Sequence, residues 1–244
     1  MVYLVYILCI LIILYLFSLN IDFFIVNDDK WLNYRLGDIL SGYCLKTEPH
    51  YIKQVKSKYN NTIGNQYLNA IKYKPQPINL VIITKIIKDY IENNNIKIDK
   101  NLIILNLRIG DVITNDNFNN TQVFTRNRRI YYYKKDNYNL ICQYLKKKYP
   151  AKKKIRLIYG SHKKKNIENS IKYINEIKTI LKKHGYTVLD NQSGNPDNDF
   201  CFMTQSSIYI RNGGEFSKII SDLVTHKNNI VIDPKNFNRD NKKK

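Results

Sequence analysis

Arg108 is the residue in this sequence best suited to grip an anion. It stands in Asn106-Leu107-Arg108-Ile109-Gly110-Asp111, directly after an apolar run. Its guanidinium is planar, permanently charged and shaped to meet two phosphate oxygens at once. Gly110 permits a sharp turn there, and Asp111 can orient the guanidinium or cap the turn. A second group of this kind is Arg211-Asn212-Gly213-Gly214-Glu215-Phe216-Ser217. A Gly-Gly turn opening a helix presents backbone N–H groups at the positive end of the helix dipole, which is a phosphate-binding geometry. Glu215 works against it unless its carboxylate points away or meets a sugar hydroxyl. A third group, Tyr159-Gly160-Ser161-His162, also follows an apolar run. Each has a plain alternative: Arg-x-Gly-Asp as a surface turn, Gly-Gly as a turn device, and Ser161-His162 as a helix cap with an exposed imidazole.

These groups matter only if the chain brings them together, and the apolar pattern says that it does. Leu102–Leu107, Ile155–Tyr159, Tyr186–Leu189, Ser207–Ile210 and Ile230–Ile232 read as short buried strands. Asn139–Tyr149, Ile167–His184, a short turn at Asp199–Met203, and Phe216–Val224 read as the helices between them. In Ile167–His184 the residues Ile167, Ile171, Ile174, Ile177 and Leu181 recur at helical spacing, and Gly185 closes the helix. Alternating strands and helices with short connections imply a parallel sheet covered on both faces, an α/β Rossmann-like domain over residues 101–234. Ligands of such sheets sit beyond the carboxyl ends of the strands, where all three groups fall. Residues 27–100 read as loop, the helix Leu80–Tyr90 and a connector, and residues 235–244 as a basic tail. Thr114–Arg129 is a polar loop longer than most connections.

The chain has 244 residues with 9 Gly, 6 Pro and 4 Cys, a composition that excludes the collagen-like, coiled-coil and disulfide-scaffold classes. Its net charge of +20 favours phosphates, nucleic acids and acidic membranes as partners. The lysines are spread along the chain, however, and heavy use of Lys, Asn, Ile and Tyr looks like a coding bias. Tyr131-Tyr132-Tyr133-Lys134-Lys135 is the best nucleic-acid candidate, but no nucleic acid is expected. Cys9, Cys44, Cys142 and Cys201 lie far apart and read as buried free thiols, and no metal motif is found. Met1 to Phe17 carries no charged residue, and apolar character continues to Val26. With no basic residue before it and no small-residue cleavage site after it, residues 1–26 read as a single-pass N-terminal transmembrane anchor of unassigned sidedness.

The ordered set of motifs resembles the fucosyltransferase superfamily, which includes the α-1,2-, α-1,6- and O-fucosyltransferases. That family has a strand ending His-x-Arg-x-Gly-Asp, matched by Asn106 to Asp111 with Asn in place of His. Its later acidic-aromatic segment, strand, turn and helix resemble Asp197–Ser217, including Phe216-Ser217. Its Gly-rich opening loop resembles Tyr34-Arg35-Leu36-Gly37-Asp38, loosely. The resemblance implies a GT-B-like, membrane-anchored glycosyltransferase with a reduced N-terminal acceptor half over residues 27–100. It implies no cofactor and no metal, a nucleotide-sugar donor (GDP-fucose) and a glycan acceptor. Arg108 would neutralise the departing diphosphate. Gly213, Gly214, Phe216 and Ser217 would hold phosphate or ribose, Asp199 would lie near guanine or ribose, and Asn106, Gly110, Gly160, Ser161 and His162 would line the donor site. Asp38, Asp111 and Glu215 are candidate bases. The alternative is a non-catalytic relative that binds nucleotide sugar or glycan.

Overall fold

A computed structural model describes residues 31, 34–110, 112–113, 125–126, 129–130, 135–160, 167–191 and 194–237. Five strands form one all-parallel sheet: β1 (Ile103–Arg108), β2 (Lys154–Gly160), β3 (Thr187–Asn191), β4 (Ile208–Ile210) and β5 (Ile230–Ile232), in the order β3-β2-β1-β4-β5. The expected α/β class is therefore present, strand for strand, with ends shifted by one or two residues. β1 pairs with β2 from Ile103↔Ile155 to Arg108↔Gly160 and with β4 from Ile103↔Ile208 to Leu105↔Ile210. The chain builds outward from β1 in one direction to β3, then returns to its other side with β4. The reversal lies between β1 and β4, which is where such sheets open a crevice.

Helices α1 (Leu36–Leu40), α2 (Tyr43–Thr47), α3 (Pro49–Lys58), α4 (Ile63–Ala70) and α5 (Leu80–Asn93) precede the sheet. Helices α6 (Lys135–Lys148), α7 (Ile167–Lys183), α8 (Pro196–Thr204) and α9 (Glu215–His226) follow its strands, and a 3-10 turn spans Pro234–Phe237. Along β1 the side chains alternate. Ile103, Leu105 and Leu107 join a core with Tyr138, Ile141, Tyr173 and Ile177 of α6 and α7. Ile104 faces the opposite core, shared with α8, α9 and the N-terminal helices. Strand period then puts Asn106 and Arg108 on that second side. The second core is continuous from Trp31 and Tyr34 through Ile87 to Tyr209 and Ile220, so the first seventy described residues pack directly on the sheet's own helices.

Within residues 34–93 the sequence predicts one helix, Leu80–Tyr90, and the structure has five. The signals were in the caps. Thr62 accepts from Asn65 N at 3.2 Å, and Asn79 accepts from Val81 N and Ile82 N at 3.1 Å each. Both are strong N-caps, hidden in a chain so rich in Asn that single ones carried no weight. The α7 stripe is also rotated from the expected one. Ser170, Tyr173, Ile174, Ile177 and Leu181 are buried, while Ile167 is 39 % exposed. Gly185 ends α7 as expected, at φ +78°, with Gly185 N on Lys182 O and Tyr186 N on Leu181 O. Cys44, Cys142 and Cys201 are buried free thiols. Among the described residues no helix is long and apolar enough to cross a membrane. The anchor segment 1–26, and with it Cys9, lies outside the described residues, as does most of the Thr114–Arg129 loop.

Candidate functional site at the β1/β4 reversal

Asn106 and Tyr209 face each other across β1 and β4. Asn106 Nδ2 donates to Tyr209 Oη at 3.1 Å, and Tyr209 Oη and Ser217 Oγ are 2.8 Å apart. Ser217 Oγ also accepts from Asn212 N at 3.0 Å, and Asn212 Oδ1 accepts from Gly213 N at 2.8 Å. This chain of bonds ties the end of β1, the end of β4 and the first turn of α9 into one rigid unit. Burial pushes the Tyr209 phenol up to about 12, so it stays a neutral hydrogen-bonding link. Asn106 and Ser217, foreseen as ligand contacts, thus hold the turn in place, and Ser217 is almost wholly buried.

The turn itself keeps its open character. Gly214 is the N-cap of α9 at φ +95°, a conformation suited to glycine, and no side chain caps the helix. Helix α1 lies against it so closely that a Cβ on Gly37 would stand 2.8 Å from Phe216 Cβ and 3.1 Å from Phe216 Cα. Phe216 in turn packs on Phe200, ring centroids 5.7 Å apart. Gly37→Ala should therefore push α1 off α9 and cost about 1–3 kcal/mol in chemical denaturation. Gly160→Ala is the matched control, because nothing lies within 4 Å of its added Cβ. Equal stability of the two variants would contradict the close approach.

Through α1 the N-terminal motif reaches the same place. Arg35 caps α1 from outside, pairs with Glu48, sits 3.4 Å from Asp38 and lies 4.5 Å above the Tyr51 ring. Its backbone N–H donates to Tyr51 Oη at 2.7 Å. Burial lifts the Asp38 carboxyl above its usual range; Arg35 and Arg108 pull it down, while Glu48 and Glu215 push it up. Arg35, Glu48, Arg108 and Glu215 thus all act on Asp38, although they come from the start of α1, the residue after α2, β1 and α9.

No protein-family model, curated protein or solved structure matches this chain.

The remaining foreseen residues fall into three groups. Gly110 stands beside the crevice at φ +78°, and its N–H donates to Ser170 Oγ at 3.0 Å, fixing the exit of β1 to α7. Gly160 is exposed at the end of β2. Asp199 is half-buried in the first turn of α8, and its charge acts on Cys201. Asp111, Ser161 and His162 lie outside the described residues.

Four residues that matter here were not foreseen. Tyr209 is one tyrosine among 20, so type gave no signal, though strand alternation from Asn106 could have found it. Glu48 balances Arg35 from thirteen residues away. Asn212 precedes the Gly-Gly turn and was passed over for it. Asp197 is the most consequential. It is 0 % exposed, accepts from Tyr34 Oη at 2.9 Å and from Ile63 N at 3.0 Å, and so stitches α8 to α4. Tyr34 Oη itself accepts from Gly64 N at 2.8 Å.

Together these groups can do three things chemically. The bare N-terminus of α9 and the Arg108 guanidinium offer a place for negative charge. Asp38, whose affinity for protons burial raises and the two guanidiniums of Arg35 and Arg108 lower, can take a proton. Glu48 and Glu215 limit how much anionic charge the place accepts.

Proposed function

We propose that this chain is a glycosyltransferase that uses a nucleoside-diphosphate sugar without a metal ion, in the manner of the fucosyltransferases it resembles. GDP-fucose is the donor that the resemblance favours, a glycan is the acceptor, and residues 1–26 anchor the enzyme to a membrane. The GT-B-like relation, with residues 27–100 as a reduced acceptor side, belongs to the same proposal. The observation that carries it is that β1 and β4 are neighbours at the reversal in the sheet order, so that Arg108 closes β1 while Gly213-Gly214 leads from β4 into α9, and that Arg108 and Glu215 both act on Asp38.

The reaction follows from the charges. An acceptor hydroxyl oxygen attacks the anomeric carbon from the face opposite the diphosphate. The glycosidic bond to phosphate breaks, and its electron pair leaves with the β-phosphate oxygen. Arg108 and the N–H groups of the first α9 turn stabilise that growing charge, in a site where they need no reorganisation. Asp38 takes the hydroxyl proton, and burial, which raises its affinity for protons, makes it a stronger base than an exposed carboxylate. One observation favours a binding-only reading: Arg35 is already balanced by Asp38 and Glu48, which leaves less cationic charge for a transition state.

The test is a thermal-shift screen of the full chain against GDP, UDP, CMP and their sugars. A ligand at a hundredfold excess over its Kd adds about 2.7 kcal/mol, a rise of roughly 5–10 °C for a chain of this size. Stabilisation by GDP or GDP-fucose with transfer to a glycan supports the transferase; stabilisation without turnover across donors and acceptors supports the binding-only reading. No shift with any nucleotide overturns both.

A further inference from the structure

Asn212 is 1 % exposed, and its Nδ2 is buried with no hydrogen-bond partner. The rest of the residue is fully used. Its N–H donates to Ser217 Oγ at 3.0 Å, and its Oδ1 accepts from Gly213 N at 2.8 Å. That second bond settles which end of the amide is which, because the Gly213 N–H is a donor and requires an oxygen opposite it. The unused end is therefore the NH2 group. Leaving it buried and unsatisfied is unfavourable, and buried polar groups are nearly always paired. The residue stands where β4 ends and the turn into α9 begins, at the β1/β4 reversal, and the two residues after it are glycines that bring no side chain over it.

We infer that Asn212 is a ligand-binding residue of this site, its Nδ2 donating to a phosphate oxygen of a diphosphate seated on the first turn of α9. The inference rests on the proposed function and names the contact within it. Arg108 supplies charge from the β1 side, and Asn212 supplies a neutral, rigidly oriented donor from the β4 side. The bonds to Ser217 and Gly213 fix the amide before any ligand arrives, so little rotamer freedom is lost on binding.

Two variants test it, with GDP and inorganic pyrophosphate as probes and with Tm measured beside affinity. Asn212→Asp keeps the shape and the acceptor for Gly213 N–H but replaces the donor by an oxygen. Asn212→Ala removes the unsatisfied NH2 and the bond to Gly213 together, two losses of opposite sign. Both should weaken binding of GDP or pyrophosphate by roughly tenfold to a hundredfold, the worth of a hydrogen bond to a charged group, while Asn212→Ala keeps its Tm within a few degrees of the parent. Unchanged affinity in either variant overturns the inference. So does a fall in affinity accompanied in Asn212→Ala by a fall in Tm as large as that of Ser217→Ala, which marks a purely structural residue. If Arg108→Ala loses binding and the Asn212 variants do not, this inference fails alone. If the parent protein binds neither probe, the reading of the site fails with it.

Discussion

Asp197→Ala is expected to lose about 2–4 kcal/mol of stability, read as a fall in Tm of roughly 5–15 °C. The carboxylate is wholly enclosed and serves two donors that have no solvent to turn to, Tyr34 Oη and Ile63 N. Each donor stripped of its acceptor costs about 1–3 kcal/mol, and part is returned because the buried charge goes too. The same enclosure makes stability depend on pH. Burial pushes the Asp197 carboxyl up to about 7, outweighing the two donors that favour its charged form. Unfolded, it would release its proton near pH 4. Between about pH 4 and 7 the folded chain therefore holds a proton that the unfolded chain has lost. Stability from this group is greatest below pH 4, falls as pH rises through that window, and is level above it. Asp197→Asn should flatten this slope while keeping one acceptor, and so lie between the parent and Asp197→Ala. Denaturation series at pH 5 and pH 8 read the difference. A slope that survives in Asp197→Asn would assign it elsewhere.

Arg108→Ala should weaken binding of a nucleoside diphosphate by about a hundredfold or more and reduce any transfer by a similar or larger factor. A guanidinium on phosphate makes charge-assisted bonds of about 1.5–3 kcal/mol each, and a stabilising donor at developing charge is commonly worth 10²–10³ in rate, on the order of 3–4 kcal/mol. Arg108→Lys keeps the charge but not the planar fork, and should recover affinity only in part. Isothermal titration with GDP measures both variants, and unchanged GDP affinity in Arg108→Ala removes the basis of the proposed site. The substitution has a second consequence. Arg108 lowers the proton affinity of Asp38, so without it the Asp38 carboxyl rises further. The acid limb of any pH–activity profile should then move to higher pH; a move to lower pH would exclude Asp38 as the base.

Much of the fold could be read because its signal is local. The runs Leu102–Leu107 and Ile155–Tyr159 place apolar residues on both faces, broken by Asn106 and Arg156 alone, as suits buried parallel strands, and glycine marks Gly185 as a helix end without any tertiary knowledge. That Arg108 and Gly213-Gly214 would both follow strands of one parallel sheet, at the carboxyl ends, could be foreseen because strand direction and connection in such sheets are strongly constrained. The roles of Ser217 and Asn106 could not, since type does not tell a hydroxyl or amide turned to a ligand from one turned to Tyr209. Nor could Asp197, whose partners lie 134 and 163 residues away. The helices before β1 were missed for a related reason. Apart from Leu80–Asn93 they are short, and their stability comes from packing on one another and into the core shared with α8 and α9, not from their own propensity.

The stitch between Asp197 and the Tyr34–Ile63 region sets an order of events at the ribosome. Ile63 is made 134 residues before its acceptor exists. At ordinary elongation speeds of roughly 5–20 residues per second, the amino-terminal helices wait about 7–27 s with their apolar faces uncovered and without the carboxylate that Ile63 N and Tyr34 Oη donate to. During that interval they are substrates for chaperones, and the nascent chain commits to its final shape only after residue 197 has cleared the exit tunnel.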